Sequence, residues 1–332
     1  MIVDVHAHFI PQPLLEQLHA EPTLFPNVAA SGEPGRTRLA FRGGAPTRPI
    51  MPKLSDLGAR RQWLAGNRID TQVVGGWLDM FGYELPPDEA ADWCRFLNEH
   101  MAKGTADQAA LAPLACVPLQ NGKLAAEVLE EALAQGFHGA MIGTQPHGAG
   151  GNLDDPDLNP FWEAASAKGA TIFVHPMFVC GDDRVNDYDM VNAVGRLADT
   201  TIAVSRLLFS GHLTRYPGVK LVVSHGGAAL PFALGRLKRN HAIHPEHGDP
   251  APEFRRLYFD TVLFEARSLR YLCDVAGADK VMLGSDHPFP IGDPEPCKVV
   301  EATDLTDAER QAILGDTAVE IFHLPCGCGA SS

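Results

Sequence analysis

The chain has 332 residues, a length that fits either two domains or one large barrel. Hydrophobic residues make up 45%, enough for a sizeable core, and 41 acidic against 27 basic side chains leave a formal charge of −14. That balance argues against nucleic acid or an anionic membrane as main partner, while local arginines can still receive a small anionic substrate.

Met1 is followed at once by the apolar run Ile2–His6, with no charged leader or signal core, and stretches such as Leu111–Leu119 are too short to span a bilayer. The seven cysteines (Cys94, Cys116, Cys180, Cys273, Cys297, Cys326, Cys328) sit mostly inside helical or strand-like runs. Their odd number suits buried free thiols better than a disulfide frame, and a soluble cytoplasmic protein is expected.

From the N-terminus, strands are predicted at Ile2–His6, Thr71–Gly75, Ala112–Val117, Gly139–Gly143, Thr171–His175, Lys220–Ser224, Leu257–Val262 and Lys280–Gly284. Runs such as Leu221-Val222-Val223 are continuously apolar, as in parallel strands buried on both faces. Between them lie amphipathic stretches at Asp88–Lys103, Gly122–Gln135, Asn159–Lys168, Asp189–Tyr216, Leu230–Ala242, Glu265–Ala276 and Asp307–Leu314. The repeat predicts an α/β fold, a (β/α)8 TIM barrel over 1–325. A doubly wound sheet is the alternative, but the first turn lacks its glycine-rich phosphate fingerprint. Residues 11–54 form a long Gly- and Pro-rich insertion after the first strand, expected to act as a lid over the barrel mouth. The alternation in Thr37–Arg42 before Gly43-Gly44 predicts a small hairpin within it. Gly143–Gly151 lacks the Lys-Ser/Thr of a phosphate loop and is expected to be a mobile loop at the barrel top. Residues 326–332 are expected to be a flexible tail, whose Cys326 and Cys328 have too few partners for a structural zinc.

The chemistry gathers where the strands end. His6-Ala7-His8 places two imidazoles on one side of a strand, because residues two apart face the same way. His175-Pro176, Ser224-His225-Gly226-Gly227 and Gly284-Ser285-Asp286-His287-Pro288 close three further runs. Singly, each has a bland explanation: a core or surface histidine, or a capping aspartate. Jointly they supply what a metal centre at a barrel mouth needs. An imidazole-rich set with one carboxylate favours Zn²⁺ and leaves Mn²⁺ and Fe²⁺ open. His225 is either a fourth ligand or an acid/base; the second reading is favoured, with two glycines behind it that let substrate approach the backbone. No lysine follows the strand at Gly139–Gly143 to bridge two metals, so a single ion is expected. His241, His244 and His247 gather near a helix end and suit a solvated terminus better than a second ion site. Trp77 and Phe289, at strand ends, suit core or pocket.

Together, His6-x-His8, His175-Pro176, His225-Gly226-Gly227 and Gly284-Ser285-Asp286-x-Pro288-Phe289-Pro290 resemble the amidohydrolase superfamily. Within it the chain is most similar to the non-oxidative decarboxylases around 2-amino-3-carboxymuconate-6-semialdehyde decarboxylase. The resemblance runs from Ile2 to about Leu324, and its most telling details are Arg48-Pro49 in the insertion and Leu234-Gly235-Arg236, eleven residues past His225. It implies His6, His8, His175 and Asp286 as metal ligands, His225 as the catalytic histidine, and a second, protonating role for Asp286. It further implies that Arg48 and Arg236 hold substrate carboxylates, the latter across a homodimer interface; Phe289, at the end of the last strand, is itself expected beside the substrate. The implied reaction is decarboxylation of a small unsaturated or aromatic carboxylic acid, without an organic cofactor. The physical case for the arginines stands independently: a guanidinium is a planar, always-charged fork matched to a carboxylate.

Two departures bear on the substrate and leave the metal set intact. His287 stands where the semialdehyde decarboxylase has a tyrosine, and Val179–Met190, with Gly181-Asp182-Asp183, aligns poorly. The competing function is a hydrolase or hydrolytic deaminase on the same mononuclear centre. Purine-type deaminases carry His-Ala-Gly-Glu where this chain has His225-Gly226-Gly227-Ala228, so no glutamate is placed to protonate a leaving ring nitrogen.

Overall fold

Eight short parallel strands wall a closed barrel in a computed structural model that describes residues 1–33 and 35–325. The strands in chain order are β1 (Val3–His8), β2 (Val28–Ser31), β3 (Arg38–Phe41), β4 (Thr71–Gly75), β5 (Leu111–Pro113), β6 (Ala140–Ile142), β7 (Thr171–Val174), β8 (Lys220–Val223), β9 (Tyr258–Asp260) and β10 (Val281–Met282). Neighbours run β1-β4-β5 and β10-β9-β8-β7-β6, while β2 and β3 form a separate hairpin.

Two seams join these sheets into one barrel. Between β5 and β6, Ala115 N donates to Gly139 O and Met141 N to Ala115 O, both at 2.9 Å. Between β10 and β1, Val5 N donates to Leu283 O and His8 N to His287 O, both at 2.8 Å. The chain therefore has the predicted (β/α)8 architecture, with strands such as β7 and β9 buried throughout because helices cover their outer faces. Most strands are shorter than their apolar runs. The last residues of those runs leave the ladder to build loops, whereas β1 continues through His8.

The helices show where a sequence pattern misleads. Asp189–Tyr216 is not one helix: a π-turn at Val191–Gly195 precedes helix Arg196–Phe209, and Gly211 (φ 65°) separates it from the short turn His212–Arg215. Helix Leu57–Gly66, which follows β1 in the barrel repeat, has no continuous apolar stripe because a charged residue, Arg60, occupies its buried face beside Leu64. Its start is set by Asp56, whose carboxylate accepts from Ala59 N at 2.8 Å.

The insertion after β1 holds helix Gln12–Ala20 and the predicted hairpin, in which β3 pairs antiparallel with β2. The strap that follows is tied along β3 by Thr47 N to Leu39 O (2.7 Å) and Ile50 N to Thr37 O (2.8 Å). Asn27 fixes the insertion to the barrel by donating twice to Glu89, at 2.8 and 2.6 Å. Among the described residues Cys94, Cys116, Cys180, Cys273 and Cys297 are free thiols, all but Cys180 buried. Among them no helix is long and apolar enough to cross a membrane. The predicted tail at 326–332 lies outside the described residues.

Candidate metal centre

Four barrel strands deliver the site. His6 and His8 project from the end of β1 and are fully buried. His175 follows β7, and His225 follows β8 in a turn where His225, Gly226 and Gly227 all take positive φ (55°, 61° and 77°). Glycine is required at the latter two, since a Cβ would strike Leu263 at Gly226 and Phe259 at Gly227. Asp286, also at positive φ (60°), follows β10.

One donor atom from each of His6, His175, His225 and Asp286 lies within 4.8 Å of the others. His8 joins them through Nε2, 3.1 Å from Asp286 Oδ1, with His6 Nε2 at 3.4 Å and His175 Nε2 at 4.0 Å from the same oxygen. His225 Nε2 is 3.9 Å from Asp286 Oδ2. The structure thus brings all five sequence-predicted residues to one point.

The outer hydrogen bonds decide what that point can hold. His6 Nδ1 faces Asp260 Oδ2 at 2.6 Å, His8 Nδ1 faces Gly76 O at 2.9 Å, and His175 Nδ1 faces Pro176 O at 3.0 Å. Each partner is an acceptor, so in the neutral rings the proton sits on Nδ1 and the Nε2 lone pair points inward. Nε2 of His6 and of His175 is buried without a hydrogen-bond partner among the described residues. Three lone pairs converging on a carboxylate repel it and one another unless a cation lies among them. This donor set fits a divalent metal ion.

The electrostatics agree. Burial opposes charge on Asp286, but His6, His225 and His8 hold its carboxyl well below the usual range. Burial, reinforced by His6, His8 and His225, pushes the His175 ring well below its ordinary value and keeps it neutral. For His6, burial is outweighed by Asp286, Asp260 and Asp4, and the ring moves upward.

Two supporting carboxylates escaped the sequence reading. Asp260 on β9 accepts from His6 Nδ1, from His225 N (2.9 Å) and from Gly226 N (2.8 Å), so it sets both the His6 tautomer and the His225 turn. Asp4 lies below the site and accepts from Ser285 Oγ (2.5 Å), Gln72 Nε2 (2.7 Å) and His6 N (3.1 Å); burial raises its carboxyl to about 6. Buried Arg60 donates to Gln72 and to the carbonyl of His8. A signal existed for both acids: each is a lone aspartate inside an apolar run predicted as a buried strand, and a buried carboxylate needs dedicated partners.

Above the centre opens a cavity of about 580 Å³, lined by His8, His175, His225 and Asp286 at one end. Arg48, Arg196, Trp77 and Phe289 also line it. Arg48 Nη2 lies 3.3 Å from Asp79 Oδ2, with its guanidinium 5.8 Å from the Trp77 ring centre, and Phe289 lies 5.0 Å from the His8 ring. Arg196 was missed because its stretch reads as a plain helix face. Arg236 is exposed on helix Leu230–Ile243 and does not line the cavity of its own chain. His287 is not a lining residue; its ring packs on Trp63 with centroids 4.2 Å apart, and burial holds its pKa at about 3. The exposed His244 and His247 flank Glu246 at 3.4 and 3.9 Å, as at a solvated helix end.

Comparison with known proteins bears on the same residues. A family model described as Amidohydrolase matches residues 3–324. The chain is 30% identical to 2-amino-3-carboxymuconate-6-semialdehyde decarboxylase of Dictyostelium discoideum, over 81% of this chain and 77% of that protein. Its fold is similar to that of 5-carboxyvanillate decarboxylase from Sphingomonas paucimobilis, with a TM-score of 0.81 and 23% identity over 98% of this chain and 99% of that one. It is also similar to dihydroxybenzoic acid decarboxylase from Polaromonas sp. JS666, solved with manganese and 2-nitroresorcinol, with a TM-score of 0.76 and 20% identity over 97% of both chains.

Proposed function

Because the chain belongs to the amidohydrolase family, we propose that it is a metal-dependent decarboxylase of a small unsaturated or aromatic carboxylic acid. The observation that carries this reading is the set of inward lone pairs gathered on Asp286 at one end of a cavity that also holds guanidinium groups. His6, His8, His175 and Asp286 would hold the ion, proposed as Zn²⁺ on the imidazole-rich set; Mn²⁺, present in the Polaromonas structure, is the alternative. When bound, the ion supplies a Lewis acid that draws off electron density as the carbon–carbon bond breaks.

Loss of CO₂ leaves an electron pair on carbon, which a proton must capture. His225 is suited to carry that proton. Its side chain is 15% exposed toward the cavity, against 0% for His6 and His8 and 8% for His175. Among the described residues its Nδ1 meets no acceptor, so unlike the other three rings its tautomer is not locked. Asp286, beside it, is the second candidate donor. Arg48, carried by the insertion at 11–54, would hold a carboxylate of the substrate and so orient the molecule, with Phe289 against its flat face.

Arg236 contributes in this reading only from a second copy, in a homodimer. Mixing inactive Arg236→Ala and His225→Asn chains is then expected to restore about a quarter of wild-type activity, since half the dimers are mixed and each has one intact site. No rescue would confine the site to one chain.

The reading is tested by incubating metal-loaded protein with amino- and hydroxy-substituted aromatic and muconate-type carboxylic acids and measuring CO₂. Release that disappears on chelation is the expected result. No CO₂ from any compound, with ammonia or new acid from amide, lactone or amine substrates, would move the assignment to hydrolase.

A further inference from the structure

Arg196 stands at the junction between the π-turn Val191–Gly195 and helix Arg196–Phe209, a type of irregularity that often marks functional positions. Its guanidinium is held by three donated bonds: Nε to Asn192 Oδ1 at 2.9 Å, and Nη1 to Pro176 O at 2.9 Å and Met177 O at 3.3 Å. The Pro176 carbonyl also accepts from His175 Nδ1 at 3.0 Å, so the fork is positioned from the same atom as a ring of the metal centre. Among the described residues Nη2 meets no acceptor, although the group lines the cavity. The neighbouring Asp79 pairs instead with Arg48 at 3.3 Å.

Burial lowers the Arg196 pKa; Asp79, Asp286 and Asp199 support its charge and Arg48 opposes it. The group remains a cation, as guanidinium does in proteins. Two like charges thus face one cavity, and among the described residues the more buried of them forms no direct ion pair, its support from Asp79, Asp286 and Asp199 acting only at longer range. Such a charge is costly unless something pairs it. An anion supplied by the ligand would give Arg196 Nη2 the acceptor it lacks among the described residues, and the three bonds already made mean that little side-chain freedom is lost on binding.

We propose that Arg196 is an in-chain anchor that makes the site specific for dianions: one carboxylate leaves as CO₂, while a second anionic group stays on the Arg48–Arg196 pair. The proposal rests on the decarboxylase reading for the fate of the first carboxylate, and it gives the chain a second cationic anchor that needs no partner subunit.

The test is calorimetric titration of the metal-loaded protein with benzoate and with the three benzenedicarboxylates, none of which needs to turn over. The wild type is expected to bind at least one dicarboxylate on the order of 10- to 100-fold more tightly than benzoate, the range of one charge-assisted contact. Arg196→Gln is expected to erase that preference while benzoate affinity and metal content stay as they were. Arg196→Lys, which keeps charge but not the fork, is expected to retain part of it. Absence of any dicarboxylate preference in the wild type would overturn the proposal. So would equal losses for benzoate and dicarboxylate, or loss of metal in Arg196→Gln, since these mark a clamp on the Pro176–Met177 loop. A preserved preference with no CO₂ from any substrate would instead sink the decarboxylase reading and leave the anchor standing.

Discussion

His225→Asn is expected to lower kcat by about 10²- to 10⁴-fold, the range for removing a positioned acid/base, and to leave metal content near wild type. Asparagine keeps a polar group of similar reach but cannot exchange a proton near neutral pH. The backbone of this turn is held independently of the side chain, since the N–H groups of His225 and Gly226 both donate to Asp260. The loss should therefore be chemical rather than structural. The same experiment resolves the role that geometry leaves closest. A donor of His225 lies within 4.8 Å of those of His6, His175 and Asp286, near enough to ligate. Loss of the ion together with activity, measured by elemental analysis, would make His225 a ligand and pass proton transfer to Asp286.

Stripping the metal is expected to abolish turnover and to lower the melting temperature by a few degrees, both reversed by Zn²⁺ or Mn²⁺. The stabilisation arises because the folded chain assembles lone pairs that the unfolded chain does not; at a hundredfold excess over Kd that is worth about 2.7 kcal/mol. Asp260→Asn should move part of the way, weakening metal binding by roughly 10- to 100-fold, because Asp260 holds the His6 proton on Nδ1. An amide can turn either oxygen or nitrogen toward that ring and no longer fixes its tautomer. A melting temperature indifferent to chelator and to added ion would show that the folded chain holds no metal.

Much of the barrel was legible because buried parallel strands read as continuous apolar runs, and the strand–helix alternation leaves few ways to close them. Reading failed where a buried polar group broke the pattern or where glycines hid a break. Helix Leu57–Gly66 turns Arg60 inward, and its cost is met by Gln72 and the His8 carbonyl, which belong to other strands. The break in Asp189–Tyr216 falls at glycines that a helical pattern also tolerates.

The metal-type residues could be named from the chain alone, since the period of a strand places His6 and His8 on one side and the ends of successive barrel strands converge. Their tautomers could not, because these are set by Asp260, Gly76 and Pro176, acceptors reached only across the fold. Nor could the difference between Arg236, exposed outside its own cavity, and Arg196, held against it. Local sequence determines which groups are present and which way a strand or helix presents them. Which groups lose water, and which are left facing one another unpaired, is decided only when distant segments pack together.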